Sequence, residues 1–168
     1  MVKVLLEDLP AKAITEKTVK RMHELAFKAK SDWEFIKFAT WLIQGCAPRD
    51  HICEIKSIYN RLGIGLKYVK DPRQIELVQS PWAILERRAG DCDCLSTIMA
   101  ASAGALGYSY RFITVKADPA RPTQWSHVYP QILIPRMCWV PADLSLQKPT
   151  LGWEPKNFPK KAWKEPKY

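Results

Sequence analysis

One run of small residues constrains this chain more than any other feature. From residue 91 it reads Asp-Cys-Asp-Cys-Leu-Ser-Thr-Ile-Met-Ala-Ala-Ser-Ala-Gly-Ala-Leu. Gly90 lets the chain turn, and Asp91 is a good N-cap, so the pattern predicts a helix over 92–106. Leu95, Ile98, Met99, Ser102 and Leu106 fall near one stripe, while Ala100, Ala101, Ala103 and Ala105 keep the other faces slim. A helix slim on nearly all sides can be surrounded by the rest of the chain, which predicts a buried central helix. Cys92 then lies in its first turn, where unpaired N–H groups and the helix dipole favour a thiolate. Asp91 and Asp93 oppose that charge. The balance is read in favour of the helix terminus together with His127, making Cys92 the most acidic and reactive of the thiols.

The remaining chain is read around that helix. At 168 residues, 47% apolar and 26% charged, it has the length and composition of one globular domain. From Thr15 a helical period places Val19, Met22, Leu25, Ala26 and Ala29 inward and His23 on the surface side. Ser31-Asp32-Trp33-Glu34 is a capping box that starts a second helix, ending by Gly45, whose aromatics read as core. A third helix opens at Pro48-Arg49-Asp50, buries Ile52, Ile55, Ile58, Tyr59 and Leu62, and closes at Gly63. Residues 66–69 read as a strand, and Ser80-Pro81 starts a helix of about two turns.

Strands follow the central helix at 108–115, 125–134 and 137–140. Helices followed by antiparallel strands define an α+β fold, with N-terminal helices and a central buried helix that carries the cysteine and packs on an antiparallel sheet. The domain is placed at 1–146, with its core motif at 66–146. A basic tail fills 147–168, with six lysines and Trp153, Phe158 and Trp163. It is read as either docking on a partner or wrapping the domain.

The net charge is +9, but no zinc-finger spacing, RNA-recognition motif or Gly-rich phosphate loop accompanies it. No nucleic-acid or membrane partner is expected. Five cysteines at these spacings do not look like a disulfide framework, which predicts a reducing, cytoplasmic setting. The first eight residues are too short and acidic for a secretory signal.

A thiol nucleophile needs a base, and the base needs a group that holds its tautomer. His127 lies in a predicted strand, and Asp143 follows the next one after a turn near 135–136. Neighbouring antiparallel strands would bring the two together. Cys92, Cys94, Cys138 and His127 are ligand types for zinc, but Cys-x-Cys in a helix turn sends its side chains to nearly opposite faces. No metal or other cofactor is therefore assigned.

Gly-x-Cys-x-x-Leu, a helix ending Ala-Leu-Gly-Tyr, the strand Arg-Phe-Ile-Thr-Val, Ser-His-Val-Tyr and Trp-Val-Pro-Ala-Asp together resemble the transglutaminase-like superfamily over about residues 66–146. The resemblance implies a papain-like fold, with Cys92 as nucleophile, His127 as general base and acid, and Asp143 as orienter. It implies a cysteine-dependent hydrolase or acyl transferase acting on a protein or peptide. Cys94, Pro130 and Gln131 depart from the family's pattern. The Cys92 N–H and a side chain, Gln79, Trp82 or Tyr68, are candidate oxyanion donors. Small stand-alone domains of this family also occur among tailed-phage genes, so the alternative is a non-enzymatic assembly module, associated with a virion.

Overall fold

The computed structural model describes residues 4–5, 11–71, 75–146 and 150–164. Its elements in chain order are β1 (Val4–Leu5), α1 (Ala11–Lys30), α2 (Trp33–Leu42), α3 (His51–Gly65), β2 (Lys67–Tyr68), β3 (Ile75–Glu76), α4 (Pro81–Arg87), β4 (Ala89–Gly90), α5 (Cys92–Ala105), β5 (Tyr110–Val115), β6 (His127–Leu133), β7 (Trp139–Pro141) and β8 (Lys160–Lys164). The expected α+β order is present, and α5 is the predicted central helix. Asp91 caps it by accepting from the Cys94 N–H, and every residue from Asp93 to Ala103 is buried. Helices α1 to α4 surround it on one side, and β5 and β6 cover the other. The alanines make this possible, because helix axes approach closely only where side chains are short.

The main sheet is antiparallel in the order β7-β6-β5-β8. Pro130, which departs from the family's pattern within this strand, leaves β6 unbroken. Its carbonyl accepts from the Ala142 N–H at 2.9 Å, one step past the last ladder pair, Gln131 opposite Pro141. The missing proline N–H faces Ala142, so this last β6–β7 pair keeps one bond of two and the ladder stops there.

Of the two readings of the tail, β8 fits the one in which it wraps the domain: residues 160–164 pair along the free side of β5. Trp163 lies opposite Phe112 and donates from Nε1 to Thr114 Oγ1 at 2.9 Å. Glu154, earlier in the same segment, accepts from the Tyr129 hydroxyl at 2.7 Å and from Gln131 Nε2 at 3.1 Å. This part of the tail thus lies against the domain's own sheet.

Three helical expectations and one about the cysteines need correction. His23 is buried, stacked near Tyr110 and tilted against Phe112, because α1 faces both α5 and the sheet and so buries a wider stripe than its apolar residues mark. Trp33 and Trp41 of α2 are exposed, with Lys37 and Arg61 over their rings, while Phe35 takes the core position. In α3, Ile52 is exposed while Ile55, Ile58, Tyr59 and Leu62 are buried. Cys46 and Cys53 form a disulfide, which overturns the reading that these thiols stay reduced. The segment between α2 and the first turn of α3 folds back, bringing two cysteines seven residues apart to a Cα separation of 5.7 Å, inside the usual range for a disulfide.

Candidate active site

Three elements meet at the start of α5. The two-residue parallel pair β2–β4 sets Tyr68 opposite Gly90 and leads directly into the Asp91 cap. Gly90 is required there for space. A Cβ on it would lie 2.5 Å from Cys94 Cβ, closer than two carbons can approach. Across α5, Ser96 Oγ donates to the Val128 carbonyl at 3.1 Å and ties the helix to β6 one residue beyond His127.

His127 and Asp143 come together across the β6–β7 hairpin, with Nε2 and Oδ2 2.6 Å apart. Asp143 is almost wholly buried, whereas His127 keeps about a fifth of its side chain exposed. The other carboxylate oxygen, Oδ1, accepts from the Ser145 N–H at 2.9 Å and from the Ser145 hydroxyl at 2.6 Å. Burial pushes the Asp143 carboxyl up, but the His127 bond and charge and the two Ser145 bonds outweigh it, holding the group below its ordinary value. Asp143 is therefore a carboxylate at neutral pH. With Nε2 engaged, Nδ1 is the ring nitrogen left to exchange a proton.

Cys92 is partly exposed at the helix start. The Val128 backbone N–H favours its thiolate, but stronger effects oppose it. Burial, then the Asp93 and Asp91 carboxylates, push the thiol well above its ordinary value. This corrects the expectation of an acidic thiol. A helix terminus offers a fraction of a charge, while two adjacent carboxylates offer nearly two. The thiol's own hydrogen bond runs from Sγ to Asp93 Oδ1 at 3.6 Å rather than to the imidazole. The three residues thus converge on the α5–β6 junction, with His127 and Asp143 directly bonded and Cys92 beside Val128.

The oxyanion candidates separate clearly. Gln79 gives its amide to Cys94 Sγ and accepts from Arg87, and Trp82 Nε1 donates to Asp32 Oδ2, while Asp32 Oδ1 caps α2. Tyr68 alone feels the site. Burial raises its phenol to about 12, with Cys92, Asp91, Asp93 and Asp143 adding in that order, so it stays a neutral donor. Cys94 is buried, its sulfur directed at the Leu77 carbonyl at 3.1 Å, and Cys138 is exposed before β7.

Two partners of Asp143 escaped the sequence reading. Ser145 had a local signal, since an Asp followed two residues later by an N–H donor is a common turn. Tyr59 had none: its hydroxyl donates to the Asp143 carbonyl at 2.7 Å from 84 residues away.

A buried central helix packed on an antiparallel sheet is the fold that the structure defines. Residues 37–144 match the family model described as the transglutaminase-like superfamily, and the chain belongs to that superfamily. No curated protein matches the chain. Among solved structures, a proposed cysteine protease from Cytophaga hutchinsonii is similar at 18% identity and a TM-score of 0.50, over 67% of this chain and 37% of that one. A proposed protease from Parabacteroides distasonis is similar at 11% identity and a TM-score of 0.52, over 80% of this chain and 30% of that one. The chain therefore spans about a third of the length of either. At these identities the likeness is one of fold. Among the described residues, no helix is long and apolar enough to cross a membrane.

Proposed function

We propose that the protein is a cysteine-dependent amide hydrolase acting on a protein or peptide through Cys92, His127 and Asp143. The observation that carries this reading is the His127–Asp143 bond of 2.6 Å on the strand whose next residue, Val128, adjoins Cys92. Because the resting thiol is neutral, the proton leaves during attack rather than before it. Cys92 Sγ bonds to the substrate carbonyl carbon as its proton passes to His127 Nδ1, and Asp143 stabilises the imidazolium that forms. The Cys92 N–H and the Tyr68 hydroxyl stabilise the oxyanion. The carbon–nitrogen bond then breaks, and the proton on His127 goes to the leaving amine. Water, deprotonated by the same imidazole, attacks the thioester, releases the acid and restores the thiol. An amine in place of water would give acyl transfer.

The test uses p-nitrophenyl acetate as a generic acyl donor, with the full chain and its Cys92→Ala variant. The wild type should release p-nitrophenolate and carry acetyl on Cys92, located by peptide mass spectrometry, and the variant should do neither. Equal release by both proteins would overturn the enzymatic reading and leave the non-enzymatic assembly module.

A further inference from the structure

We infer that Tyr59 and Ser145 are positioning residues which hold Asp143, by its backbone and by its carboxylate, in the orientation that directs His127 Nδ1 to the thiol. The inference rests on the triad reading above and names the residues that set its geometry.

Asp143 needs such support because of where it lies. β7 ends at Pro141, and the Ala142 N–H makes the last bond to β6, so Asp143 is beyond the ladder. Its carbonyl is held instead by the Tyr59 hydroxyl at 2.7 Å, and its Oδ1 by two donors from Ser145. Only Oδ2 is turned to His127. An aspartate carboxylate sits on a single methylene and has only two side-chain torsions. Fixing the carbonyl and one oxygen therefore fixes the direction of the second oxygen, and with it the ring plane of the histidine.

Tyr59 can do this because α3 is itself immobilised against α2. Ser57 Oγ donates to the Leu42 carbonyl at 2.7 Å, and Arg61 donates to the carbonyls of Trp41 and Gln44. The Cys46–Cys53 disulfide ties the first turn of α3 to the same segment. At the other side of that turn, His51 Nδ1 lies 2.8 Å from the Tyr108 hydroxyl. The Tyr59 ring is buried between these anchors. Its hydroxyl is thus presented from a helix clamped on both sides, and nothing about Tyr59 beyond that one bond points into the site. The carboxylate end of the cradle is local, built by a turn of three residues. One end of Asp143 therefore depends on the helical half of the molecule and the other on the sheet half.

The experiment compares Tyr59→Phe and Ser145→Ala with wild type in the full chain, using p-nitrophenyl acetate across a pH series. Tyr59→Phe should lower kcat between about 10- and 100-fold with KM little changed, as expected when a reacting group is misplaced. Ser145→Ala removes one of the bonds that hold the Asp143 carboxyl low. The acid limb of its kcat/KM profile should therefore move towards neutral pH. A merely structural role would lower the melting temperature while leaving kcat and the pH profile unchanged, and that result would overturn the inference. Ser145 lies in a partly exposed turn, so Ser145→Ala decides the matter if Tyr59→Phe does not fold. Failure here is distinct from failure of the triad. In the first case the wild type is acetylated on Cys92 and both variants behave like it; in the second, Cys92→Ala behaves like wild type.

Discussion

The two halves of the candidate active site are built on opposite terms. On the sheet side, His127 and Asp143 are bonded at 2.6 Å, and every group around Asp143 favours its ionised form except burial itself. On the helix side, Cys92 sits at the most favourable point of α5 for a thiolate, and yet burial, Asp93 and Asp91 hold it neutral. In the reaction proposed above, one half is ready before substrate arrives, whereas the other becomes reactive only when a proton is taken from it. The difference teaches that a helix N-terminus does not by itself make an acidic cysteine, because burial of the thiol, and after it the carboxylates of the same turn, outweigh a partial dipole charge.

Removing the base is the most severe way to break this contrast. His127→Ala should lower the rate of Cys92 acetylation by p-nitrophenyl acetate by about 10²- to 10⁴-fold at neutral pH, the range lost with a general base. A loss smaller than a few-fold would mean that the thiol ionises without the imidazole, and the contrast between the halves would disappear.

A smaller effect concerns how the helix side is held. Gly90→Ala forces a carbon into contact with Cys94 Cβ, a side-chain carbon next to the helix backbone that has little freedom to withdraw. Overpacking of this kind should destabilise the fold by about 1–3 kcal/mol and lower the melting temperature measured by circular dichroism. An unchanged melting temperature would show that the start of α5 is free to shift, contrary to its close fit.

The mildest change sharpens the comparison. Asp93→Asn removes the nearer opposing charge and the acceptor of the thiol's hydrogen bond. The Cys92 thiol should then titrate at lower pH, and acetylation at neutral pH should rise roughly 3- to 10-fold. The alkaline limb of the pH–rate profile should move down with it. A slower variant with an unshifted limb would show that Asp93 assists the reaction instead of restraining it.

Local pattern alone determined a good part of this molecule. The slim run after Asp91 dictates a buried helix, because short side chains on every face leave no alternative but close neighbours, and the observed burial from Asp93 to Ala103 follows from it. The strand–turn–strand rhythm around residues 135–136 was enough to bring His127 and Asp143 together, since a hairpin fixes which residues face each other over a sixteen-residue span. Contacts between distant segments were a different matter. Tyr59 reads only as one more apolar position in α3, His23 as a polar residue on a surface helix, and residues 160–164 as a basic tail. Each acquires its place from a partner 84 residues away, from a sheet packed across α1, or from the free edge of β5. Even the sign of the Cys92 shift belongs to the tertiary structure: Asp91 and Asp93 are plain in the sequence, but the exclusion of water that gives their charges such force exists only once β6 and the helices have closed around the start of α5.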